Sequence, residues 1–207
     1  MESGKFTRRQ WLAGALAAAM PAASAEGELE RQVKAAFLYR FGGFVEWPAQ
    51  AFAGADSPFV IGLHGADELA APLERTVAGR TLQGRALQVV KLKKDGAMGG
   101  ERAPHIAFVG ARDRTSAQGM LDGCRERPIL TVSDSDHVHG MGSIINFLVA
   151  DQRVRFEVSL KAAAAAQLRI SARLLAVAYR VQDREQAHVQ AHGQTHVQHH
   201  VQPGAPS

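Results

Sequence analysis

The 207 residues carry a formal charge of +4, but half of it belongs to an N-terminal signal with Lys5, Arg8 and Arg9 against Glu2, so the chain's basicity does not point to nucleic acid. Beyond that signal no stretch is apolar enough to span a membrane as a helix, and a single cysteine, Cys124, excludes an intrachain disulfide. Residues 26–207 suffice for one well-buried soluble domain.

Residues 1–25 have the form of a cleaved export signal: a basic start, an apolar run over residues 11–20, and the small-x-small site Ala23-Ser24-Ala25. The sequence Thr7-Arg8-Arg9-Gln10-Trp11-Leu12 has the form of a twin-arginine signal, an address read by a receptor. Residues 33–48, VKAAFLYRFGGFVEWP, come next. Leu29, Val33, Phe37, Phe41 and Val45 recur every four residues and predict one apolar face of a core helix. Gly42-Gly43 inside that pattern predicts a kink or a close backbone approach, and Pro48 ends the segment. Tyr39, Arg40 and Trp47 fall off the apolar line. These residue types are enriched at binding hot spots, which makes them candidates for a partner or dimer contact.

Phe59-Val60-Ile61-Gly62-Leu63 reads as a strand covered on both faces. A helix opening at Asp67-Glu68 follows, with Leu69, Leu73 and Val77 inward and Gly79 as its stop. Residues 81–85 read as a turn before a second strand at residues 87–90, and residues 91–100 as a loop. A third strand covers residues 105–110, a helix residues 111–127 with Met120 and Leu121 inward, and a fourth strand residues 129–132. This alternation predicts an α/β domain with a mixed, mostly parallel sheet between helical layers. Residues 144–149 and 154–160 then predict an antiparallel hairpin at one side of the sheet. Arg153, Arg155 and Glu157 lie on its wet face, the two arginines as further contact candidates. Residues 161–182 read as helical, with a break near Ile170-Ser171. From residue 183 onward histidine, glutamine and small residues replace large apolar ones, so residues 183–207 are expected to be a disordered tail.

No P-loop, HExxH, GxSxG or CxxC motif is present, so no catalytic residue is assigned. The most enzyme-like patch is Asp134, Asp136, His137 and His139 after the fourth strand. It offers donor types that hold a divalent metal, or acceptors for backbone amides in a solvated loop. In the tail, His188, His192, His196, His199 and His200 could capture zinc, nickel or copper adventitiously. No cofactor is expected.

Two separated stretches carry a family resemblance. Lys34-Ala35-Ala36-Phe37-Leu38-Tyr39 with Phe41 and Phe44-Val45-Glu46-Trp47-Pro48 form the first. Gly142-Ser143-Ile144-Ile145-Asn146-Phe147, Val154-Arg155-Phe156-Glu157-Val158 and Leu168-Arg169-Ile170-Ser171 with Leu174-Leu175 form the second. Together they resemble the opening and closing signatures of the YfiR-like family of periplasmic proteins, and they bracket residues 30–182. The resemblance implies a non-enzymatic, dimeric periplasmic regulator that holds an inner-membrane diguanylate cyclase inactive through its periplasmic sensor region. An outer-membrane lipoprotein would sequester the regulator and raise cyclic di-GMP. The studied regulator carries several cysteines and this chain only Cys124, so disulfide-based sensing does not carry over. The alternative is a periplasmic protein that binds a small ligand or metal, supported by the α/β layout and the histidine patches.

Overall fold

The computed structural model describes residues 22–93, 103–110 and 113–182. The expected tail, most of the expected signal and most of the 91–100 loop lie outside these residues. Helix α1 (Ala22–Phe44) runs into the short strand β1 (Val45–Glu46), and a single 3₁₀ turn follows at Ala49–Ala51. Strand β2 (Phe59–His64) is buried at every position. A 3₁₀ turn at Asp67–Leu69 leads into α2 (Ala70–Val77), then β3 (Thr81–Leu82) and β4 (Arg85–Lys91). After these come β5 (Ile106–Val109), α3 (Arg114–Cys124), β6 (Leu130–Ser133) and α4 (Asp136–Gly140). The chain continues through β7 (Ile145–Ala150), β8 (Arg153–Ser159), α5 (Leu160–Ala165), β9 (Arg169–Ile170), α6 (Ala172–Leu175) and β10 (Arg180–Gln182).

Eight strands form one sheet in the order β10-β8-β7-β6-β5-β2-β4-β3, and β1 pairs with β9 in a separate two-stranded sheet. The run β4-β2-β5-β6-β7 is parallel, as the alternation of strands and helices predicts. The β7–β8 hairpin is antiparallel, with Phe147 opposite Phe156 and Asn146 opposite Glu157. Its two-residue turn, Asp151-Gln152, has positive φ at both positions, the geometry that matches strand twist. The fold is therefore the α/β class read from the sequence.

The aromatic helix forms one wall of the main core. Phe41 is fully buried, stacked on Phe37 at 5.8 Å and on Phe147 at 5.7 Å, and edge-on to Phe156 at 5.2 Å. The buried line on α1 is Ala35, Leu38 and Phe41, continued by Val45 in β1, whereas Leu29 is 62% exposed. A strict four-residue spacing drifts by about 40° per step on a helix of 3.6 residues per turn, which carries Leu29 off the face that Phe41 occupies. The helix runs on through Gly42-Gly43. Gly42 is the close approach: a Cβ there would strike Leu82 and press on Phe59.

Three further expectations change. Residues 81–85 are not a bare turn but a tight hairpin, with Leu82 paired to Arg85 and positive φ at Gln83 and Gly84. Residues 161–182 are four short elements rather than one helix. Ser159 and Ser171 cap α5 and α6 by accepting from the amides of Ala162 and Leu174, and Gln167 turns the chain with φ 57°. Strand pairing then claims the rest: Val45 with Ile170 in β1–β9, and Val181 with Val158 in β10–β8. The hairpin consequently lies one strand inside the sheet edge. Glu157, read as part of a wet face, is only 5% exposed, because β10 flanks β8 and Asn146 stands opposite.

A cluster of three rings closes the core near α1's end. His105 stacks on Phe52 at 4.6 Å and on Phe59 at 4.7 Å, and its Nδ1 accepts from the Val60 amide at 3.0 Å. Burial pushes its pKa from 6.5 down to about 4. A base whose folded pKa is depressed takes its proton preferentially in the unfolded chain, so its contribution is complete above pH 6.5. It is lost as pH falls from there towards 4, by up to about 1.4 kcal/mol per pH unit. Urea titrations between pH 7 and 4 check this; His105→Gln should show a flatter slope than the wild type.

Candidate functional site

The sequence-predicted residues are dispersed. Asp134 Oδ2 pairs with Lys34 Nζ at 2.8 Å, and Lys34 also meets Glu30 at 2.7 Å. Burial opposes the Lys34 charge, yet these two carboxylates outweigh it and hold its pKa above the ordinary value. Asp136 Oδ1 accepts from Asn146 Nδ2 at 3.0 Å, His137 is exposed, and His139 is turned into the protein. Among the described residues no group of three or more His, Cys, Asp or Glu side chains converges to hold a metal. The Asp134, Asp136, His137 and His139 cluster does not assemble, because Asp134, ahead of α4, is drawn to Lys34, while on α4 Asp136 turns to Asn146 and His139 to Ser143. His188, His192 and His196 lie outside the described residues.

The contact candidates divide between the two sheet faces. Arg40 is exposed on α1, and half-buried Tyr39 lies beneath the Arg80 guanidinium, 5.1 Å from the ring centre. Phe156 packs against α1, so alternation along β8 places Arg153 and Arg155 on the opposite face. Trp47 is half-buried: its indole N–H donates to the Gly42 carbonyl at 3.2 Å, and its ring meets Phe59 edge-on at 5.3 Å. Much of this ring is therefore core packing. Trp47→Ala should lower the unfolding free energy by about 2–3 kcal/mol and Trp47→Phe by less than half of that, measured by urea denaturation.

What the structure does assemble is a buried polar chain beneath α4, joining β6, β7 and β8. Asn146 is its hub. Its amide nitrogen donates to Asp136 at 3.0 Å and to Glu157 Oε1 at 3.1 Å, and its carbonyl oxygen accepts from Ser133 Oγ at 2.9 Å. With the Ser133 hydrogen directed to Asn146, the contact of 2.8 Å between Ser133 and Ser143 has Ser143 as donor. Ser143 Oγ and His139 Nδ1 are hydrogen-bonded at 3.0 Å. The other ring nitrogen, Nε2, has no hydrogen-bond partner among the described residues. It lies 3.9 Å from Glu157 Oε1, with only 7% and 6% of the two side chains exposed. Burial, opposed by the charge of Glu157, holds the His139 pKa below its ordinary value, so the imidazole is neutral at pH 7. The other Glu157 oxygen faces Arg180 and Gln182, each at 3.4 Å.

Three members of this chain, Asp136, His139 and Glu157, line a cleft of about 780 Å³ bounded by α3, α4, α5 and β10. Cys124 lines it from α3. Burial pushes the Cys124 thiol up to about 12, so the sulfur is a neutral, apolar wall atom. Sequence reasoning missed the cleft because its key acid, Glu157, sits in an alternating strand that reads as solvated. The signal that could have found it is the pairing of Asn146 with Glu157, both inside the closing stretch.

The family described as YfiR/HmsC-like matches residues 31–179. No curated protein matches the chain. Among solved structures, a conserved domain protein from Vibrio cholerae O1 biovar El Tor strain N16961 is similar at 12% identity with a TM-score of 0.44. That similarity covers 59% of this chain and 54% of the other, so it spans about half of that protein's length.

Proposed function

Because the chain belongs to the YfiR/HmsC-like family, we propose that it is an exported periplasmic regulator. It holds an inner-membrane diguanylate cyclase inactive by contact with that enzyme's periplasmic sensor region. The observation that carries this reading is the extent of the family match, residues 31–179, which takes in every strand of the fold except β10. No helix of the described residues is long and apolar enough to cross a membrane, which suits a protein that meets its partner from the periplasmic side. The family is regulatory rather than catalytic, and the reading is of a binding protein rather than an enzyme.

The contact is assigned to the outer side of α1, around Arg40 and the Tyr39–Arg80 stack. An exposed cation beside a half-buried ring there supplies hot-spot chemistry with little further side-chain ordering. A homodimer presents two such surfaces, and an outer-membrane lipoprotein that covers them releases the cyclase. Calorimetry between the purified chain and the periplasmic sensor region of a membrane diguanylate cyclase from the same organism tests the contact. Saturable binding is expected, weakened about tenfold or more by Arg40→Glu. Absence of binding removes the mechanism; binding that Arg40→Glu spares but Arg153→Glu abolishes moves the contact to the other face.

A further inference from the structure

Phe156 turns towards α1, so Arg153, Arg155 and Glu157 share the opposite face of β8. Among the described residues β8 packs chiefly against β7, β10 and α1, and α1 lies on the Phe156 side. Strand β10 sets Arg180 beside Glu157, and its guanidinium reaches the Glu157 carboxylate on that same opposite face. Arg180, Arg155 and Arg153 thus follow one another along a sheet face that no helix packs over closely.

This row lacks internal counter-charge. Among the described residues neither Arg153 nor Arg155 forms a hydrogen bond or ion pair, and Arg180, 62% exposed, meets its acid only at 3.4 Å. Lys34, by contrast, holds two carboxylates at 2.7 and 2.8 Å. Arg153 is exposed and Arg155 half-buried, and of the three Arg155 side-chain nitrogens only Nε is shut off from solvent without a partner. Its two outer nitrogens are the pair that a carboxylate engages in bidentate fashion, and part of their hydration is already displaced by burial.

Spacing and sign select the occupant. Arg153 and Arg155 lie about 7 Å apart along the strand, the separation of alternate residues in any extended segment. Asp136, bonded to Asn146 on this face, and Asp151 in the hairpin turn flank the row. A uniformly anionic surface, whether nucleic acid or lipid headgroups, meets these acids together with the arginines, whereas carboxylates spaced two residues apart meet the arginines alone.

We propose that the face of β8 turned away from α1 docks an extended acidic protein segment, with carboxylates at alternate positions paired to Arg153 and Arg155 and a further one to Arg180. A segment seated there leaves the α1 side open, so this contact adds to the one assigned to Arg40 and does not rest on the regulatory reading.

Calorimetry on the full chain at low ionic strength tests it, with an alternating glutamate–threonine peptide as the probe. Saturable binding at one site is expected. A peptide of equal charge with glutamate at every third position should bind about tenfold or more weakly, and an alternating lysine–threonine peptide not at all. Arg155→Ala should weaken the probe about tenfold. The double variant Arg153→Glu/Arg155→Glu should invert the preference, losing the glutamate peptide and binding the lysine peptide, a gain that a misfolded chain does not give. Arg153→Ala, at an exposed position, should keep Tm and weaken the probe, which reads the contact even if the double variant fails to fold. No saturable binding, equal affinity for the third-position peptide, equal affinity for duplex DNA or phosphatidylglycerol vesicles, or glutamate-peptide binding that survives Arg153→Ala and Arg155→Ala overturns the proposal.

Discussion

Phe41→Ala lowers the unfolding free energy by about 3–5 kcal/mol, enough to unfold much of a marginally stable domain at 37 °C. Phe41 has no exposed surface, and it touches Phe37 on its own helix and Phe147 and Phe156 on the β7–β8 hairpin. The helix and the hairpin come from opposite ends of the domain, and this ring is where they lock. Truncation removes both the transfer term and the ring-to-ring contacts, and the surrounding rings are too large and too well seated to collapse into the void. Phe41→Leu, which keeps most of the volume, should cost less than half as much. Urea denaturation by circular dichroism gives both values.

Asn146→Ala costs about 2–4 kcal/mol for a different reason. The side chain is fully buried and supplies both of its amide hydrogens and its carbonyl oxygen to partners. Its removal leaves the Glu157 carboxylate without its donor at 3.1 Å and the Ser133 hydroxyl without its acceptor. Most of the loss is therefore the penalty of groups left unsatisfied rather than the net worth of the bonds. Glu157→Gln in the Asn146→Ala background should recover part of the stability, because it discharges the stranded carboxylate. A double-mutant cycle measured in urea reads that coupling, and strict additivity would contradict the network.

The fold was largely legible in the residues. The apolar run at Phe59–Leu63 and the strand read at residues 105–110 announced the parallel strands observed at Phe59–His64 and Ile106–Val109, and the alternation of strands with helices gave the layered α/β arrangement. What misled was local. Residues 161–182 are rich in helix formers, but strand pairing to β1 and β8 and the capping serines cut the segment into four pieces. The site was less legible than the fold. Asp134 and His139 belong to one short stretch, yet one is drawn to Lys34 on α1 and the other to Ser143 beneath α4. Periodicity reports which face a residue occupies and not which neighbour waits there. Glu157 shows this most clearly, since an acid in an alternating strand reads as solvated until the strand that flanks it is known.

The regulatory reading meets its most direct test in the cell. Cyclic di-GMP is measured in the native organism with the gene deleted and with it restored from a plasmid. If the chain holds a diguanylate cyclase inactive, deletion raises the cyclic di-GMP level and restoration of the wild-type gene returns it. A level unchanged by deletion contradicts the account.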